Sequence, residues 1–229
     1  MQILVYALHN DETDILKYAL QQAGLMIRVS HRLEHVKQSW TMQSTDAVLL
    51  IPSGEGAANS SLVKDFRLFT SVPIIVLSDP LPEERMIEFY QAGADLVVNR
   101  PYSLRILALQ MRALIQRGNN MPLAGLPSLA QGDLALDPAT RSVTVRSQPE
   151  VHLTQLEFRL LYTLMTHPGR ILSAEELVEK VWGYPGESNR ELVRGLVQRL
   201  RVKIEPDPHD PTYILTEAGT GYYFRPSPA

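Results

Sequence analysis

From its second residue the chain alternates short apolar runs with longer stretches in which apolar residues recur every three or four positions. Residues 3–8, 26–30, 47–51, 73–77 and 95–98 read as strands, and 11–23, 33–40, 60–69, 82–92 and 103–117 as helices between and after them. Strands that are β-branched and apolar without interruption are covered on both faces, so the spacing predicts a parallel sheet. The expected fold over residues 1–117 is α/β, a doubly wound (βα)5 domain, with its functional edge at the carboxyl ends of the strands.

After Arg117 the period stops. Residues 118–131 (GNNMPLAGLPSLAQ) hold Gly, Pro, Asn and Ser without pattern and read as a linker, with the domain boundary near residue 125. A second domain then spans 132–229. Short strands are expected at 134–136, 142–146 and 151–153, followed by helices at 154–166, 173–181 and 189–205. Thr154 with Glu157, and Ser173 with Glu176, form capping boxes at the first two helix starts. Strand-like residues 213–215 and 222–224 flank a Gly219-Thr-Gly221 turn and predict a closing hairpin. Three helices, flanking strands and a terminal hairpin describe a winged helix.

Charge gives the last helix its interest. Val193, Leu196, Val197, Leu200 and Ile204 share one face, while Arg190, Arg194, Gln198 and Arg201 follow one another on a different stripe. Arg199 and Lys203 flank the apolar side. Five Arg or Lys against one acid, Glu191, lie between residues 190 and 203, in a chain of net charge −3. Such a helix has the pattern of a major-groove reader, because attraction to phosphate is local. A solvated face would show the same stripe, so the surrounding elements decide. Ser188 or Asn189 is placed to cap the helix. Gly195 inside it costs about 1 kcal/mol against alanine, and reads as a site of close backbone approach to DNA.

The 229 residues, 45% hydrophobic, suffice for two cores. With no cysteine, disulfides and thiolate metal sites are excluded. The sequence offers no His pair at ligand spacing and no nucleophile–base pair. Ser53-Gly-Glu-Gly56 is too short for a phosphate loop. The expectation is a protein that is not an enzyme and uses neither cofactor nor metal. No apolar run nears the roughly 20 residues of a membrane span, and no basic region precedes the first strand. A cytoplasmic location away from membranes is expected.

Residues 132–225 resemble the DNA-binding domain of the OmpR/PhoB family of response regulators. The stretches LTQLEFRLLYTL, PGRILSAEELVEKVWG, RLRVKIEPDP and YILTEAGTGYYF carry the resemblance in the family's order. It implies a transcription factor bound to double-stranded DNA, with Arg194, Gln198, Arg199 and Arg201 at the bases and Arg190 and Lys203 on phosphates. It implies too that the wing, through Thr220 and Tyr222, reaches phosphates or the minor groove, although Ala218 stands where the family often has Arg. The loop containing Trp182, Gly183, Tyr184 and Glu187 matches a turn that often contacts RNA polymerase. Three of these residues have a second reading: Arg199 in an ion pair inside its own domain, Trp182 in the core, and Tyr222 in wing packing.

Residues 1–117 resemble a receiver domain, through VPIIVLS and GADLVVNRPYSL. The resemblance implies an Asp at the end of the third strand that accepts phosphate, with Mg²⁺ held by it and by an acidic pair after the first strand. Here Ile51 takes that position, so no phosphoacceptor is expected. The acidic pair falls on Ala7 and Leu8, or with a longer loop on Asn10-Asp11-Glu12. Ser78 matches the hydroxyl switch residue, Arg100 replaces a Lys, and Val97 an aromatic. Asp11, Glu12, Ser78 and Arg100 are the expected remnants of the pocket. A homodimer independent of phosphorylation is expected through residues 82–117. On that surface Asp95, Arg105 and Gln110 are polar, and Leu104, Ile106, Leu107, Leu109 and Met111 are apolar. Two alternatives stand beside it: a small ligand or protein partner at the eroded pocket, or a conventional relay using a relocated acceptor.

Overall fold

The computed structural model describes residues 1–7, 12–40, 44–52, 60–120, 126–146, 148–183 and 190–226, the side chains of 117–120 excepted. The chain divides into two units, Met1–Gln116 and Arg117–Ala229. No helix among the described residues is long and apolar enough to cross a membrane.

The first unit runs β1 (Gln2–Ala7), α1 (Thr13–Gln22), β2 (Met26–Ser30), α2 (Leu33–Ser39), β3 (Ala47–Ile51), α3 (Ser61–Arg67), β4 (Ile74–Ser78), α4 (Glu83–Ala92), β5 (Leu96–Asn99) and α5 (Leu104–Asn120). All strands pair in parallel, in the order β2-β1-β3-β4-β5. Every residue of β3 and β4 is buried, which is why those runs are apolar without alternation. The register sets Ala7 beside Ile51 and Ser78 beside Asn99, so these residues mark the carboxyl edge of the sheet.

At the opposite edge Asp95, expected on an outward surface, is buried. Its Oδ2 accepts from the Ile74 amide at 2.8 Å and pairs with Arg67. Arg67 also donates to the carbonyls of Gly93 (2.8 Å) and Val72 (2.7 Å). One guanidinium thus joins the starts of β4 and β5 to α3. On α5, Leu107 and Met111 pack into the core and only Ile106 and Leu109 stay exposed among the large apolar residues. The apolar excess on that helix is therefore mostly internal packing.

The second unit opens with an antiparallel sheet of β6 (Leu129–Gln131), β7 (Leu134–Asp137), β8 (Ser142–Val145) and β9 (Val151–His152). The stretch expected as a linker gives its first residues to α5 and its last three to β6. Three residues carry too little alternation to register as a strand; β7 supplies the pairing, with Leu129 opposite Leu136. Next come α6 (Gln155–Met165), α7 (Ala174–Val181) and α8 (Arg190–Ile204), then the hairpin of β10 (Ile214–Glu217) and β11 (Gly221–Phe224). Both expected capping boxes are formed, at Thr154/Glu157 and Ser173/Glu176. α6 and α7 both pack on α8.

The hairpin is tied to the α6–α7 connection through a bridge between Leu172 and Tyr222, with N–H···O distances of 2.8 and 3.0 Å. A Cβ on Gly221 would lie 2.0 Å from the Leu172 carbonyl oxygen, so the two backbones meet only because residue 221 has no side chain. Gly221→Ala is expected to cost about 2–3 kcal/mol as forced overpacking. Gly219→Ala, at φ +77° with open space around it, is expected to cost only about 1 kcal/mol. Thermal unfolding of the two variants checks the order.

Candidate nucleic-acid interface

α8 turns about 100° per residue, so its fifteen positions divide into an inward and an outward arc. Leu192, Val193, Leu196, Val197, Leu200 and Ile204 fill the inward arc and are buried. Arg190 and Arg194 are exposed, with Gln198 and Arg201 partly so on the same stripe. Gly195, read as a point of approach to DNA, is buried inside the unit.

Arg199 and Lys203, expected at DNA, belong to the other side. Arg199 is 9% exposed. Lys203 Nζ donates to Glu157 Oε2 at 2.7 Å and to the His152 carbonyl at 3.1 Å. Glu157 is itself buried at the start of α6, where its Oε2 accepts from the Thr154 amide at 2.8 Å. Burial pushes the Glu157 carboxyl up, but the charges of Arg199 and Lys203 and the hydrogen bonds outweigh it, holding the group below the usual carboxylate range. A capping residue of one helix is thus the counter-ion of another.

Arg201 is shared between the helix and the wing. Its Nε and Nη2 donate to the Ile214 carbonyl at 3.0 and 2.6 Å, and Nη2 donates to Thr216 Oγ1 at 2.9 Å. Glu205, just past the helix, accepts from the amides of Thr212 (2.7 Å), Tyr213 (3.1 Å) and Ile214 (2.7 Å). Sequence spacing placed Arg201 on the outward stripe but carried no sign of these partners. Together the two side chains fix β10 to the end of α8.

A cleft lies where α7, α8 and the wing converge, lined by Ala174, Glu175, Arg190, Thr216, Thr220 and Tyr222 among others. Thr220 is exposed at the turn of the wing. Burial pushes the Tyr222 hydroxyl up, against the neighbouring Arg201 and Arg194, so it stays a hydrogen-bond donor at neutral pH. Trp182 is buried in the core, which settles its second reading. Gly183 ends α7 at φ +92°, a conformation that suits glycine after a helix. Tyr184, Glu187 and the proposed caps Ser188 and Asn189 lie outside the described residues.

Residues 148–224 match the family model described as "Transcriptional regulatory protein, C terminal". The KDP operon transcriptional regulatory protein KdpE of Escherichia coli is 32% identical over 212 residues, covering 91% of this chain and 92% of its own. The chain belongs to the OmpR/PhoB family of response regulators. It is a DNA-binding transcriptional regulator of that family. The DNA-binding response regulator MtrA of Mycobacterium tuberculosis is 34% identical over 181 residues, 79% of this chain and 78% of the relative. Among solved structures, that of a RitR mutant matches with a TM-score of 0.74 over 99% of both chains, at 20% identity, and shares the fold.

In the first unit the residues matching the receiver pocket gather at the carboxyl edge of the sheet. β3 ends in buried Ile51. The Arg100 guanidinium pairs with Glu12 and lies 3.5 Å from Asp79 Oδ1. Tyr102 donates its hydroxyl to the same Glu12. Burial pushes the Glu12 carboxyl up, yet its bonds to Arg100 and Tyr102 leave it below its ordinary value. The Tyr102 hydroxyl is raised by burial and by Glu12. Ser78 is buried and donates to the Asp79 carbonyl at 2.9 Å, with Asn99 Oδ1 at 3.2 Å. Tyr102 was missed from the sequence, because its role depends on a partner 90 residues away.

Asp11 lies outside the described residues. Among the described residues no three His, Cys, Asp or Glu side chains are grouped to hold a metal ion, and the Glu12 carboxylate is already bound by Arg100 and Tyr102. Of the described positions that the resemblance implies for Mg²⁺, Ile51 supplies no oxygen and Glu12 is engaged by Arg100 and Tyr102.

The lowered Glu157 group has a definite pH signature. Its contribution to stability is full above the unfolded carboxylate value of about 4.3 and is lost as pH falls through the lower folded value. Acid unfolding followed by Trp182 fluorescence, in a Trp40→Phe background, is expected to show this loss, and Glu157→Gln to remove it. Lys203→Ala is expected to cost on the order of 2 kcal/mol of stability, as a charged hydrogen bond to a buried acceptor is removed.

Proposed function

We propose that this regulator binds a specific operator through Arg190, Arg194 and Gln198, with Thr220 and Tyr222 of the wing on the sugar–phosphate backbone. It does so as a homodimer held by its receiver-like unit, without waiting for aspartyl phosphorylation. The exposed stripe of α8 supports the first part. Arg matches guanine O6 and N7 in a bidentate pair, and Gln matches adenine N6 and N7. Arg201 joins them as the residue that sets the angle between helix and wing. Arg199 and Lys203 act through Glu157 on the helix itself. The loop around Gly183 is the proposed contact to RNA polymerase, as the family resemblance implies.

The observation that carries phosphate independence is Ile51 at the end of β3. A hydrocarbon side chain has no oxygen to attack phosphorus. The Arg100 charge, which would face a transferred phosphoryl group, is balanced internally by Glu12. Tyr102, bonded to the same carboxylate, keeps that balance in place.

Incubation of the full chain with phosphoramidate and Mg²⁺, followed by intact-mass measurement, is expected to leave the mass unchanged and operator affinity unaltered. A stoichiometric phosphoryl adduct that tightens binding would sink this reading. Arg194→Ala is expected to cost about 1–3 kcal/mol at the operator and to relax base preference at one position. Competition binding against scrambled DNA measures both.

A further inference from the structure

The receiver-like unit has an apolar groove between α1 and α5. Ile15, Tyr18, Ala19, Leu104, Ala108 and Leu109 line it. Three of these are large side chains left in water: Ile15 is 64% exposed, Tyr18 68% and Leu109 58%. Ile15 and Tyr18 are three apart on α1, Leu109 follows Arg105 by four on α5, and each pair therefore shares a helix face. A contiguous apolar surface of this kind marks an interaction site.

We propose that a second copy of this chain covers the groove, so that the dimer is built on the α1–α5 face. This rests on the dimer reading above and specifies its surface. Charge selects the arrangement. Of the groove residues only Arg105 and Arg112 are charged. The Arg112 guanidinium lies over the end of α1, where a Cβ on Gly24 would come within 2.9 Å of its Nη2; a cation there suits the helix carboxyl-end dipole. Arg105 remains at the start of α5, and exposed Asp14 at the start of α1 shares the face of Tyr18.

Both helices follow strands of one parallel sheet, so both begin at its carboxyl edge. A twofold axis parallel to the helices lays α1 of one copy on α5 of the other with their starts level. Asp14 then faces Arg105 of the second copy, twice by symmetry, and Ile15 and Tyr18 meet its Leu109. A twofold axis across the helices would instead stack α5 on α5 in opposite directions and bring Arg105 toward a second Arg112. Like charges disfavour that alternative. The α4 side offers less: Glu88 pairs with Arg85 of its own helix, and α4 has no exposed large apolar residue.

Sedimentation velocity of the full chain over a concentration series tests the proposal. The wild type is expected to sediment as a dimer and Leu109→Asp and Ile15→Lys as monomers, with unchanged circular dichroism. Asp14→Arg or Arg105→Asp alone is expected to weaken the dimer about tenfold, two exposed pairs being lost per dimer. The double variant is expected to restore it. Arg85→Glu on α4 is expected to change nothing. A wild type that is monomeric throughout overturns the dimer reading and this inference together. A dimer that survives Leu109→Asp and the charge swap, or dissociates only with Arg85→Glu, overturns the α1–α5 face and leaves the dimer reading standing.

Discussion

A single buried carboxylate, Glu157, ties the cations on one side of α8 to the start of α6. Glu157 is fixed first by local chemistry, as the third residue of a capping box at the start of α6. In the folded unit it also receives Lys203 and the field of Arg199 from α8. An ionised carboxylate in the interior is costly unless it is paired and hydrogen-bonded. The unit meets that demand by turning two basic side chains of α8 inward. The apolar residues of α8 face inward beside them, and Arg190, Arg194 and Gln198 remain on the outward stripe. Arg201 and Glu205 then carry the constraint onward, by holding the start of β10 to the helix.

The receiver-like unit uses the same device for a different result. Arg100, at the carboxyl edge of the sheet, is matched by Glu12, and Tyr102 donates to that carboxylate. With Ile51 ending β3, the Arg100 charge at the edge where related folds hold ligands is met from within the unit. In both units, then, a basic residue that invites a functional reading has its charge met by an acid distant in sequence. The difference lies in what is left over: an exposed basic stripe in one, and an exposed apolar groove in the other.

Much of this was legible in the residues. The apolar runs of β3 and β4 announce a covered parallel sheet because hydrogen-bonded strands with helices on both faces have no wet side. The capping boxes at Thr154 and Ser173 are read directly, since cap and partner are three residues apart. β6 was not legible, because three residues carry no period of their own and depend on β7 for pairing. The apolar count along α5 misled about the surface. Leu107 and Met111 face the core, whereas Leu109 faces the groove, and composition does not separate them.

The sequence by itself determined the two units, their elements, the outward stripe of α8 and the Ile at the end of β3. These follow from short-range periodicity, and from side-chain chemistry that folding does not alter. Only the tertiary structure decided which cations of α8 are available. The partner of Lys203 lies 46 residues away, and that of Arg100 lies 88 away. Periodicity assigns a residue to a face, but an ion pair needs two faces brought together, and that is the work of the packed fold. Five basic residues in one helix were therefore visible from the start, and their division into exposed cations and cations held inside the unit was not.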